Sequence, residues 1–179
     1  MTFELKPYGK TQRYNGLTVT ITEKIDGTNA CVVIDQGELV GCQSRNRALD
    51  VHNDNMGFAN WVEANKEELL KLGDGYHYGE WAGPGIQKNP HKFDQKQFML
   101  FNTYRPADTL PSCVINVPIL YVGPYLGKDH VDDVMSTLYS AAINSGYKPE
   151  GVIIYFHEHR QSLKYTYANN KSKWSLSNS

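Results

Sequence analysis

The sequence predicts an α+β fold built around antiparallel sheets, and three observations carry that expectation. Short runs rich in β-branched residues recur along the chain. Only two stretches repeat apolar residues at helical spacing. Strand and helix signals do not alternate in the βαβ order of a parallel sheet. The 179 residues are 40% hydrophobic and 21% charged, enough to bury a core. Gly and Pro punctuate short segments, and no repeat or low-complexity linker divides the chain, so residues 1–179 are expected to form a single domain.

Leu17 to Lys24 alternates apolar and polar side chains with β-branched residues throughout, the pattern of a half-buried strand. Asp26-Gly27 supplies turn chemistry and Ala30 to Asp35 resumes a strand, so the segment reads as a hairpin with Lys24 at a strand exit over a cleft. Leu39 to Ser44 continues the sheet. A first helix is expected from about Asn55 to Leu72, where Phe58, Trp61, Val62, Leu69 and Leu70 form an apolar stripe and Gly73 is the stop signal. Tyr76 to Trp81 and Gln97 to Thr103 read as strands. The second helix begins near Val131: Val131, Val134, Met135, Leu138 and Ala142 recur at helical spacing, Asp132 and Asp133 suit the positive end of the helix dipole, and Gly146 ends it. Gly151 to Phe156 and Ser162 to Tyr167 close the set of strands.

A formal net charge of -1 excludes strong whole-molecule attraction to nucleic acid but leaves room for a local basic surface. After Glu158 the chain carries Arg160, Lys164, Lys171 and Lys173 with no acidic residue, interleaved with Tyr165, Tyr167 and Trp174, a composition suited to a phosphate backbone. Cys31, Cys42 and Cys113 are widely spaced and form no Cys-x-x-Cys pair, which argues against a disulfide framework or a zinc site and for a reducing cytoplasm. No charged-then-apolar leader and no apolar run of about 18 residues is present, so neither export nor a membrane span is expected. His157 and His159 alternate with Glu158 on an expected strand, but with no third ligand they read as a solvent-facing edge; His52, His77, His91 and His130 have no interpretable spacing.

The chemistry begins at Glu23-Lys24-Ile25-Asp26-Gly27-Thr28-Asn29. A lysine amine with its ordinary pKa of about 10.4 is almost wholly protonated, and partial burial or neighbouring cations make such an amine a nucleophile towards phosphorus or a carbonyl. Lys-x-Asp-Gly alone also arises by chance in about a few per cent of chains this size, and a solvated hairpin lysine is its bland equivalent. Further segments follow in order. Ser44-Arg45-Asn46-Arg47 places two guanidinium groups after a strand, suited to phosphate oxygens or to a plain surface turn. In Tyr78-Gly79-Glu80-Trp81 the glycine permits close backbone approach and the carboxylate suits a ribose hydroxyl or a metal. Phe98-Met99-Leu100-Phe101-Asn102 offers rings for a purine, or core. Glu150-Gly151-Val152 and Lys164 set a carboxylate and an amine on adjacent strands, for a metal and a phosphate, or for a cross-strand ion contact.

In this order the segments resemble those of the covalent nucleotidyltransferase superfamily, and within it the phage-type, ATP-dependent RNA ligases. Glu23 to Asn29 resembles the family's nucleotidyl-lysine motif, with Thr28 and Asn29 favouring the RNA-ligase branch over DNA ligases and capping enzymes, where an arginine commonly follows the glycine. Ser44-Arg45, Gly79-Glu80, Phe98 to Asn102, Glu150-Gly151-Val152 and Lys164 fall where later family motifs should. The resemblance implies a nucleotidyltransferase (ATP-grasp-like ligase) fold, with antiparallel sheets flanking a nucleotide cleft and two main helices. It also implies a three-step reaction: Lys24 takes AMP from ATP as a lysyl-AMP adduct, AMP passes to a 5′-phosphate end, and a 3′-hydroxyl displaces it. Lys24, Glu150 and Lys164 are the implied catalytic residues. The implied nucleotide contacts are Glu23, through its side chain or adjacent backbone, with Ile25, Asn29, Arg45, Glu80 and Lys164. Phe101 is the implied adenine stack, with Phe98 as its alternative, and Glu150 the ligand of Mg²⁺ or its water shell.

Two departures stand out. The family's last motif commonly holds two lysines one residue apart, whereas Ser162 and Thr166 flank Lys164 at that spacing, leaving Lys171 or Lys173 to supply the charge. Such ligases usually append a C-terminal domain for end recognition, and the chain stops soon after Trp174, so a minimal ligase or an isolated catalytic domain is expected, acting on RNA ends as a monomer. A DNA nick ligase, a capping guanylyltransferase and a non-catalytic nucleotide- or RNA-binding module are the alternatives.

Overall fold

Two sheets organise the chain in the computed structural model, which describes residues 16–168. Lys171, Lys173 and Trp174 lie outside the described residues. The first sheet has strand order β10-β9-β1-β8, formed by Gln161–Thr166, Gly151–Phe156, Thr18–Glu23 and Ile119–Pro124, all antiparallel. The second has order β4-β3-β2-β5-β6-β7, formed by Ala48–Leu49, Glu38–Ser44, Thr28–Asp35, Gly75–Ala82, Gln97–Leu100 and Val114–Asn116. It is antiparallel except for the final β6–β7 pair, which is parallel. The mixed α+β architecture with antiparallel sheets is therefore as expected.

Each sheet buries one face under helix. On β1 the alternation sends Val19 and Ile21 to the same side, where they pack with Val152 and Ile154 of β9 against Val131, Met135 and Leu138 of the long helix α3 (Lys128–Asn144). On the second sheet, Ala30, Val32 and Ile34 of β2, with Trp81, Phe98 and Leu100, pack under α1 (Phe58–Ala64) and α2 (Lys66–Leu69). The Phe58 ring lies 5.4 Å from Trp81 and 5.3 Å from Phe98, tilted to both. A small cluster of Ile25, Ala82, Met99 and Val117 forms a third apolar group.

Three sequence expectations are corrected. The strands on either side of Asp26-Gly27 do not form a hairpin: β1 has β8 and β9 on its two edges and β2 has β3 and β5, so residues 24–27 cross from one sheet to the other. The first helix is shorter and broken. Met56 and Gly57 take positive φ, so helix starts only at Phe58; Asn65 then interrupts it, its side-chain amide donating to the Trp61 carbonyl at 2.8 Å, and a 3₁₀ turn over Leu70–Leu72 ends the segment. His157 and His159 lie in the turn after β9, not on a strand, and the described residues contain no cluster of three or more candidate metal ligands. Strands β4, β7 and β8 had no clear signal: two are only two and three residues long, and β8 is an edge strand with Pro118 before it and Pro124 at its end. No described helix is long and apolar enough to cross a membrane, and all three cysteines are free.

Phe58 is fully buried among three other rings. Phe58→Ala should therefore cost about 3–5 kcal/mol in denaturant unfolding, the range for emptying a large aromatic site.

Candidate active site

Position 24 is set by the backbone. Glu23 N–H donates to the Pro118 carbonyl and Lys24 N–H to the Gly151 carbonyl, each at 2.9 Å, so the exit of β1 is tied on both sides. Because Glu150 precedes Gly151, the second bond also sets its side chain beside that of Lys24. Lys24 Nζ donates to Glu150 Oε2 at 2.5 Å, with the two side chains 22% and 36% exposed. A partly open pair of this kind remains accessible to an incoming group.

The crossover then delivers Gly27 to the second sheet. Its N–H donates to the Glu80 carboxylate, and a Cβ at Gly27 would lie 2.5 Å from the Trp81 carbonyl oxygen and 2.9 Å from Glu80 Cγ. Glycine is required there by the approach of β5. Asn29 stands directly opposite Glu80 in the β2–β5 register. Burial pushes the Glu80 carboxyl up to about 7, against the opposing pull of Lys24, the Gly27 N–H and Arg45, while Glu150 adds to the push. These influences place Lys24, Glu80, Glu150 and Arg45 in one electrostatic neighbourhood.

The two arginines differ in use. Arg47 is spent on its own loop, donating to Asn53 Oδ1 at 2.8 Å and the Asp54 carbonyl at 3.0 Å, whereas Arg45 is exposed and makes no side-chain hydrogen bond to the described residues. The two phenylalanines separate as clearly. Phe98 is fully buried against Phe58 and Trp61, while Phe101 is 42% exposed just beyond β6, its N–H on the Tyr78 carbonyl. Lys164 is exposed in mid-β10, opposite Ile153, which is in turn opposite Thr22 of β1. Its neighbour Tyr165 points the other way, to Asp132 of α3, so Lys164 occupies the face turned from that helix. Ile25 is buried in the third apolar group. Glu23 is 4% exposed, and its carboxylate accepts from His91 Nε2 at 2.8 Å and Tyr147 Oη at 3.0 Å.

A family model for RNA ligases matches residues 17–166 of this chain. The chain belongs to the RNA ligase family. Its structure is similar to that of Naegleria gruberi RNA ligase. The likeness extends to a variant with ATP and Mn (TM-score 0.62, 21% identity) and to an apo variant (TM-score 0.60, 23% identity), each covering 84% of this chain and 50% of the other. A third, with AMP and Mn, matches at TM-score 0.61 and 21% identity, again over 84% and 50%. The chain thus spans about half the length of these relatives, and at such identity the likeness is one of fold. No curated protein matches the chain significantly.

Within this family member, sequence reasoning missed His91 and Tyr147. His91 sits in the long β5–β6 connection, and Tyr147 just after the Gly146 helix stop; neither position has a periodicity that could reveal a partner.

Glu80 yields a pH prediction. A carboxyl raised in the folded state contributes stability that is fully present below its ordinary value of 4.5 and lost as pH rises through about 7. Glu80→Gln keeps the shape without the charge, so its stability relative to wild type should be flat below that window, rise through it, and level off on the order of 3 kcal/mol higher. Urea unfolding at a series of pH values measures this, and a falling difference would refute the assignment.

Proposed function

We propose that this chain is the nucleotidyltransferase domain of an ATP-dependent RNA ligase, with Lys24 as the nucleophile that carries AMP. The observation that supports it most is the meeting of Lys24 and Glu150 at 2.5 Å where the two sheets converge, inside the span matched by the RNA ligase family. Before attack, Nζ must leave Glu150 and surrender a proton, and Glu150 Oε2 is the nearest base. The Nζ lone pair then forms a bond to the α-phosphorus while the bond to the bridging oxygen breaks and pyrophosphate departs with that electron pair. In the second step an oxygen of an RNA 5′-phosphate attacks the same phosphorus and the N–P bond breaks, returning the amine. In the third, a 3′-hydroxyl oxygen bonds to the 5′-phosphorus as the anhydride bond to AMP breaks; AMP leaves with that electron pair and the hydroxyl proton passes to solvent. Covalent catalysis of this kind divides one difficult substitution into easier ones.

The surrounding residues take roles consistent with their placement. The Glu23 carboxylate is already engaged, so its contact with adenine falls to the backbone at Glu23 and Ile25. Phe101, the exposed ring, stacks on adenine; Glu80 and Asn29, cross-strand partners, hold the ribose. Arg45 and Lys164 meet phosphate oxygens. A divalent cation fits here only as one shared with phosphates and water, because the described residues offer no cage of three ligands. Glu150 would hold it through the oxygen that Lys24 leaves free, and Mg²⁺ when bound would neutralise charge on the phosphates and the leaving group.

Incubation with α-labelled ATP and Mg²⁺ should label the protein through an acid-stable bond and raise its intact mass by one AMP, with no gain for Lys24→Ala. A wild-type protein that never labels would overturn the proposal. GTP labelling in place of ATP would point to a capping enzyme, and sealing of DNA nicks but not RNA nicks to a DNA ligase.

A further inference from the structure

We propose that His91 and Tyr147 are positioning residues for nucleotidyl transfer, acting through the buried Glu23 carboxylate to hold Lys24 and Glu150 in register; the inference rests on the function proposed above. Glu23 lies on the same face of β1 as Val19 and Ile21, opposite to Thr20 and Thr22. A carboxylate so buried is costly unless donors surround it, and here both oxygens are served. Tyr147 Oη lies 3.0 Å from Oε1 and 3.2 Å from Oε2, and His91 Nε2 is 2.8 Å from Oε1. Burial first, and then the Glu23 charge, push the Tyr147 phenol up, so its hydroxyl stays a donor.

The partners of Glu23 come from two segments that bear on the site. Tyr147 is three residues before Glu150, in the connection from α3 to β9, and its own N–H donates to the Ala142 carbonyl at 3.0 Å. His91 belongs to the β5–β6 connection. Its ring stacks on Phe93 with centroids 5.0 Å apart and planes 4° apart, and it packs at 4.5 Å from the Tyr147 ring. Phe93 in turn packs on the Ile25, Ala82, Met99 and Val117 group. With its proton on Nε2, His91 leaves the buried, unpartnered Nδ1 a bare lone pair and not an orphaned N–H. One carboxylate therefore fastens the residue before Lys24 to the segment that ends in Glu150, and fastens both to the wall behind Ile25. Attack at phosphorus demands a near-attack geometry, and a misplacement of about 1 Å is enough to cost on the order of 100-fold in rate.

Single-turnover self-adenylylation of the full chain with labelled ATP tests this, with thermal unfolding read in parallel. Tyr147→Phe should slow the adenylylation step at saturating ATP roughly 10- to 100-fold and remain folded at the assay temperature. The Gln amide reaches the position of Nε2 and the Asn amide only that of Nδ1. His91→Gln should therefore retain the wild-type rate and His91→Asn should lose it as Tyr147→Phe does. A purely structural role would lower the melting temperature and leave the rate per folded molecule unchanged. That result, or equal rates for His91→Gln and His91→Asn, would overturn the proposal. If Tyr147→Phe does not fold, the His91 pair decides. A wild-type protein that fails to label refutes the ligase function instead, so the two failures are distinct.

Discussion

The hydrogen bond from Lys24 N–H to the Gly151 carbonyl is the contact on which the rest of the site depends. It is the last rung on one side of β1, and it joins the two segments that carry Lys24 and Glu150. Beyond it the chain cannot fold back onto β1, because both edges of β1 are occupied, and it crosses to begin β2 in the second sheet. A hairpin would have kept Lys24 and Glu80 on one sheet. The crossover instead lets side chains from two sheets converge, and Gly27 closes the connection by donating to Glu80.

This geometry changes how the motif glycines are understood. Gly27 faces the Trp81 carbonyl, and at Gly151, with φ of +151°, a Cβ would lie 2.2 Å from the Tyr165 carbonyl oxygen. Both are demanded by neighbouring strands of the protein itself, before any ligand is considered. Residues that look like a nucleotide signature are thus partly the signature of two sheets brought close enough for their side chains to act together.

That double origin explains what could be read from the sequence. Alternation exposed β1, β2, β3, β5 and β9 with small end errors, and apolar spacing exposed α3, because each of these elements buries one regular face. The order of Lys24, Arg45, Glu80, Phe101, Glu150 and Lys164 was legible as a resemblance, whereas only tertiary packing shows that Phe98 completes an aromatic core and Phe101 stays exposed. The crossover after Lys24 was hidden, since Asp26-Gly27 suits a hairpin turn equally well and the competition for strand edges is non-local. His91 and Tyr147 were hidden for the same reason, being 68 and 124 residues from Glu23.

Three carboxylates lie near the exit of β1, and their environments differ. Glu23 is buried and fully engaged by His91 and Tyr147; Glu80 is held near neutrality by burial; Glu150, the most open, is the one that pairs with Nζ. Of the three, only the Glu150 contact can be broken cheaply, because both partners have access to water that can replace it. Arg45 and Lys164 are exposed and make no side-chain hydrogen bond to the described residues, so they can receive a polyanion without first losing a partner. Under the proposed function, an arriving triphosphate meets cations that are ready, a ribose-facing Glu80 whose charge is weakened by burial, and a lysine whose one anionic tether among the described residues is open to water. The order of burial among Glu23, Glu80 and Glu150 is therefore the order in which they must stay fixed, adapt and let go.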